Sequence, residues 1–394
     1  MQTGHPPSRQ TTGSTPRGFG HSSVISLVVS ILLLFGLVAC GNSGNQAEEK
    51  IAKDSAAATD FENELVFNDV TLEQLDNEGD VGWIVNAAIA RYSKDRKIAR
   101  VEKPTGELYQ NGEVVFKVKA ERGEVYQDGR QIFLKDSIVA VDTRDGTVLR
   151  GEELEWKPQE DVLIVRKNLT GTHDKADLSA REARFFSQQR RLELQGEVVM
   201  KAEEPPLQLR GEKLEWKLEE QQVIAPESIQ IDRYEGDKVT DRAVSEQATV
   251  NLETKTATLT QNAELTVLDP PLRVNSNELI WDLNAKLITS NVPVSVLHRQ
   301  EQVQLSGNTG WLDISKKIFY LRENVQAFGG NDNTQLSANQ LDWFIPSQEF
   351  EARGNVVFRQ SDPQMTLNGP QAKGKLEDQT IAISGGRVVT EIIP

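Results

Sequence analysis

The chain of 394 residues holds one cysteine, Cys40, and four histidines. A lone thiol can form no internal disulfide and no multi-cysteine zinc site. Positive charge is also scarce: 44 basic residues stand against 59 acidic ones, a net charge of −15. Nucleic acid is therefore not an expected partner, because neutralising phosphates needs a basic surface. Long apolar runs are missing with one exception near the N-terminus, which excludes a polytopic membrane protein. Long 3.6-residue periods are missing as well, and the one short helical candidate is Thr71 to Asp76.

Catalytic signatures are equally absent. The chain has no H-E-x-x-H, G-x-S-x-G or G-x-G-x-x-G. His173 and His298 are the only histidines beyond the leader, far apart and read as solvated loop or strand residues. The stretch Gly369 to Lys375 mimics a phosphate loop, but Leu376 stands where the metal-binding hydroxyl belongs. It also falls where a strand is predicted. Acids such as Glu152, Glu153 and Glu155 alternate with apolar residues, as on a solvated sheet face. No catalytic residue, metal site or cofactor is expected.

The exceptional apolar run is Val24 to Ala39, after a polar segment carrying Arg9 and Arg17 and no acid. It ends in Leu37-Val38-Ala39-Cys40-Gly41, the layout of an export signal. The run is shorter than a spanning helix wants. Its end resembles the lipobox of bacterial lipoproteins, with Cys40 as the lipidated residue; an uncleaved signal anchor is the alternative. Residues 41–60 are polar and without period, a flexible tether.

The body beyond is strand-like, with alternating runs such as Val114 to Val118 and Val356 to Phe358 between Gly, Asn and Asp turns. It repeats. EEPPLQLRGEKLEW ending at Trp216 parallels LDPPLRVNSNELIW ending at Trp281, and looser copies end at Trp311 and Trp343. With Val125, Trp156, Phe185, Val250 and Gly374 as further anchors, the spacing runs from 29 to 34 residues. Leu-x-Trp between polar neighbours puts Leu and Trp on one strand face, since side chains alternate. A unit of two strands and a turn cannot bury that face alone and must stack on its neighbours. The expected fold is all-β: an elongated antiparallel β-jellyroll of roughly 31-residue two-strand repeats, a spacing read directly from the chain.

One segment carries a resemblance. Gly79-Asp80-Val81-Gly82-Trp83-Ile84-Val85-Asn86-Ala87, then Tyr92 and Ser93, then Lys117-Val118-Lys119-Ala120, resembles the LptC lipopolysaccharide-export family. Gly79, Trp83, Ala87, Tyr92, Val118 and Ala120 occupy the places of its pattern. The remainder is similar to the wider LptA/LptC/LptD N-domain group, the OstA-like repeat. The resemblance implies residues 61–230 as an LptC-like jellyroll and residues 231–394 as an LptA-like continuation. It implies a bridge component in the periplasm, anchored to the inner membrane by lipid on Cys40 or by a helix. Lipopolysaccharide acyl chains would lie in the groove between sheets. The partners implied are the inner-membrane lipopolysaccharide ABC transporter, LptA/LptD-like jellyrolls joined by edge-strand pairing, or further copies head to tail. Groove-lining candidates are Trp83, Phe116, Trp156, Phe185, Trp216, Trp281, Trp311 and Trp343. Lipobox Cys40 and the extra length depart from a usual LptC relative, which keeps one membrane helix.

Two other readings differ in class. An exported polysaccharide-binding β-solenoid would use shorter rungs without an internal hairpin turn. A β-propeller scaffold lipoprotein would use blades of about 40 to 50 residues.

Overall fold

Alternation and frequent turn residues produce strands almost throughout. The computed structural model describes residues 65–76, 79–329, 334–375, 380–386 and 389–392. Cys40, the leader 1–40 and the tether 41–60 lie outside the described residues. Among the described residues are 28 strands, all paired antiparallel in one sheet, and one 3-10 turn at Pro158–Glu160. The fold is all-β, as an elongated β-jellyroll requires. Thr71 to Leu75 is not helical but the second half of the strand Leu65–Leu75, with Val70 opposite Ala87 and Leu72 opposite Val85. Six residues cannot meet the cost of helix nucleation, whereas the neighbouring strand supplies backbone partners at once. The phosphate-loop mimic lies in the strand Gln364–Lys375.

Asp60–Pro394 forms one compact unit. The position 230/231 falls inside the strand Ile229–Glu235.

Most long strands bend near the middle. Asp136 with Ser137, Lys167 with Asn168, Gln261 with Asn262 and Glu323 with Asn324 all take positive φ, as do Gly196 with Glu197 and Gly354 with Asn355. Pairing registers slip at these pairs, which are β-bulges. Asn and Gly recur there because they tolerate the left-handed region best. In two other places proline interrupts the strand. Pro226 separates Gln222–Ala225 from Ile229–Glu235, and Pro293 separates Leu287–Ser290 from Val294–His298. Each bend or break passes the chain from one half-sheet to a second that faces it, with the core between.

The first half-sheet holds most of the tryptophans and is called here the tryptophan sheet. Its inward residues stand directly opposite one another from strand to strand. Ile132 faces Trp156, Trp156 faces Leu163, Leu163 faces Phe185, Phe185 faces Leu192, and Leu192 faces Trp216. The file continues through Val223, Val250, Ala257, Trp281, Ile288, Leu312, Phe319, Trp343 and Phe350 to Gly374 and Ile381. Gly374 is required by packing, since an added Cβ would meet the Phe350 ring at 2.5 Å.

One anchor is corrected. Leu312, not Trp311, is the inward residue of Thr309–Asp313; Trp311 is on the outer face. There it stacks on Tyr320 at 4.8 Å and under the Arg322 guanidinium at 4.8 Å. Trp281, Leu312 and Trp343 are then spaced by an even 31 residues. A period read from large aromatics slipped here because the neighbouring aromatic had a partner of its own outside.

Trp216→Ala is expected to cost about 3–5 kcal/mol of stability, as removal of a fully buried aromatic does. Trp311→Ala is expected to cost about 1 kcal/mol, the worth of a half-buried aromatic stack on the outer face. Urea denaturation of the two variants checks this; equal costs would place Trp311 inside after all.

Candidate functional site

The interior between the half-sheets is the structure's continuous apolar feature. Trp156, Phe185, Trp216, Trp281 and Trp343 enter it from the tryptophan sheet. Trp83 and Phe116 enter from the facing sheet, where Trp83 stands opposite Leu108 and Leu108 opposite Phe116. None of these seven is more than 2% exposed. Phe116 reaches across to Trp156 at 6.4 Å and Phe185 at 5.1 Å, both edge to face. The buried residues form one cluster from Leu72 to Ala372. A trough left empty along its length is therefore not what these side chains make. Aromatic rings from both sheets interdigitate and fill it.

The family-motif residues build the first strands. Gly79 takes φ +94° in the turn before Val81–Tyr92. Ala87 is buried opposite Val70, and Tyr92 packs edge-on against Phe67 at 5.6 Å.

Away from the bends, strand ends and their turns form two lips along a mouth. On the tryptophan side, each turn holds one residue in the left-handed region: Asp161, Arg190, Gln221, Lys255, Lys286, Lys317 and Gln348, with φ between 47° and 57°. The turns stack by backbone hydrogen bonds. Leu218 N–H donates to Arg190 O, Leu283 N–H to Lys255 O, Ile314 N–H to Lys286 O and Ile345 N–H to Lys317 O, each at 3.0 Å.

Ion pairs cross this mouth. In the N-terminal part, Arg190 bonds the fully buried Asp142 at 2.5 Å and also Asp145. Arg144 holds Asp142 at 2.7 Å and donates to Ser187 O at 3.0 Å. Gln110 links Ser187 Oγ and Asp161 Oδ1, at 3.0 and 2.7 Å. Burial alone would raise the Asp145 pKa, but bonds from Thr147 and Arg190 outweigh it and hold the carboxyl below the usual range. Burial dominates at Asp161 and pushes it up. Further along, the crossings are looser: Lys255 to Glu204 at 3.8 Å and Lys317 to Asp269 at 3.4 Å, with both acids 87% exposed.

The two histidines read as solvated are not. His298 is buried and His173 nearly so. Each lies on the facing lip with its ring edge-on to a tryptophan across the mouth: His173 to Trp216 at 4.8 Å, His298 to Trp343 at 5.6 Å. The Nδ1 of His173 accepts from Lys175 N–H at 3.0 Å, and that of His298 from Glu301 N–H at 3.2 Å. Burial pushes both pKa values below 6.5, against the pull of Asp174 and Asp145 at His173 and of Glu301 at His298. Nothing in a one-dimensional pattern marks a polar residue whose partner is more than forty positions away. The shared signal is only that each lies at the end of a strand in the facing sheet, His298 closing Val294–His298 and His173 directly following Val162–Thr172.

Towards the C-terminus the packing loosens. Val303, Leu305, Ala327, Phe328, Leu336 and Phe358 join Leu341, Trp343 and Phe350 around a small apolar cleft of about 50 Å³, partly open to solvent. Phe328 is 46% exposed. At the opposite end, Leu65–Leu75 pairs on one edge only among the described residues and exposes Leu65, Val66, Phe67 and Leu75.

Residues 31–198 match a family model described as lipopolysaccharide-assembly, LptC-related. Over that stretch the chain is LptC-like, which supports a role in lipopolysaccharide transport. The match ends inside the strand Arg191–Ala202, while the inward file runs on to Ile381. No curated protein matches the chain. Among the described residues no helix is long and apolar enough to cross a membrane.

The histidine surroundings set a pH dependence. Below pH 6.5 the unfolded chain binds protons at His173 and His298 that the folded chain refuses, so stability falls as pH drops through that value. Chemical denaturation at pH 7.5 and 5.5 is expected to show this loss. His173→Phe with His298→Phe should flatten it.

Proposed function

We propose that this chain is a membrane-anchored carrier in lipopolysaccharide export, taking acyl chains between its half-sheets and passing them along the file. The observation that carries this reading is the unbroken inward apolar file, which begins in the LptC-related region, extends far beyond it and reaches an open apolar cleft. Each acyl methylene withdrawn from water there is worth about 0.8 kcal/mol.

Because the interior is filled, an acyl chain enters only as side chains and lips give way. The mouth grades in strength. Exposed pairs such as Lys255–Glu204 contribute about 0–1 kcal/mol each. The N-terminal clasp is firmer, because the fully buried Asp142 is held by both Arg190 and Arg144. Entry and exit are therefore easier along the C-terminal part.

The free edge of Leu65–Leu75 and the last strands, Thr380–Ser384 and Val389–Ile392, are the natural joints. Open edges invite pairing with another strand. In this reading they meet the inner-membrane ABC transporter's periplasmic part, an LptA/LptD-like jellyroll, or a second copy head to tail. Cys40 lipid or a signal-anchor helix tethers the chain on the periplasmic side of the inner membrane. A second reading, a scaffold lipoprotein, is favoured by one observation: the near-complete burial of the inward tryptophans.

A photocrosslinking residue in place of Phe358 or Phe328, in cells actively exporting lipopolysaccharide, distinguishes the two. Lipopolysaccharide adducts at the cleft are expected for the carrier. Adducts to protein alone, there and at Trp156, would leave the scaffold.

A further inference from the structure

Five of the six tryptophans, Trp83, Trp156, Trp216, Trp281 and Trp343, have a buried indole N–H without an acceptor among the described residues. Indole nitrogen is a donor only, and a buried unpaired donor is destabilising. Phenylalanine fills the same kind of position without that penalty, as Phe185 and Phe319 do in the same file. Packing alone therefore does not account for indole at these rungs.

Placement sharpens the point. Trp156, Trp216, Trp281 and Trp343 share one register and recur every fourth strand of the tryptophan sheet, about 19 Å apart at normal strand spacing. Each lies within one residue of its strand's end or just before it, so just inside the mouth. Trp216 and Trp343 reach the opposite lip, where the histidine rings meet them. Trp343 also walls the open cleft.

We propose that this file of indole donors binds the acceptor oxygens of acyl linkages, the ester or amide carbonyls and hydroxyls near the head of each acyl chain on an acylated sugar. The proposal rests on the carrier reading and adds that the occupant is recognised by polar atoms at the linkage as well as by hydrocarbon. The layout fits such a molecule in depth. Hydrocarbon lies between the sheets, linkage oxygens lie level with the indoles, and the anionic sugar faces the lip that carries Arg190, Lys255, Lys286 and Lys317.

The test uses the full chain, wild type and Trp343→Phe, with two probes delivered from cyclodextrin: lipid A and n-hexadecane. Trp343→Phe should weaken lipid A binding roughly three- to tenfold, the worth of one hydrogen bond, and leave hexadecane binding unchanged. In the wild type, the Trp343 indole proton resonance should move downfield with lipid A and not with hexadecane. Equal binding of both probes by both proteins, with an unmoved resonance, overturns the donor proposal and leaves the carrier standing. Binding of neither probe by the wild type overturns both. If Trp343→Phe fails to fold, the wild-type resonance decides alone.

Discussion

Every repeat in this chain has one apolar face and no means of covering it alone. That constraint governs the rest. It forces each strand to lie in register with the next, so that inward residues form one file from Trp156 to Ile381. It forces the strand to bend at a bulge, because only a second half-sheet can cover the face of the first. It also makes the two ends special, since among the described residues the terminal strands lack a neighbour on one side.

The filled interior and the carrier reading are compatible through the gradient along the mouth. A packed core with a buried Arg190–Asp142 clasp occupies the N-terminal part, and loose lysine–acid crossings and an apolar cleft occupy the C-terminal part. The net charge of −15 finds a partial place here. The facing lip carries Asp145, Glu204 and Asp269 beside Arg144, and the left-handed turn positions of the tryptophan lip hold four cations beside Asp161.

Much was legible in one dimension. The period, the strand class and the inward direction of Trp156, Trp216, Trp281 and Trp343 all follow from alternation, which is a local rule of the pleated chain. The pairs Gly196–Glu197, Glu323–Asn324 and Gly354–Asn355 before Val198, Val325 and Val356 are bends, which the structure identifies. Trp311 misled because size is not direction: a large aromatic with a stacking partner and a guanidinium on the outer face satisfies itself there. His173 and His298 misled because their environment is made by strands far away in the sequence.

The sequence by itself determined the repeat, the all-β class and the face most inward anchors take, because these depend on period and on neighbours a few positions apart. Only the tertiary structure decided that the interior is filled, that Asp142 is buried under two arginines, and that five indole donors face no acceptor. Those outcomes depend on which side chains two facing sheets bring together across the gap between them. No spacing along a strand encodes that distance.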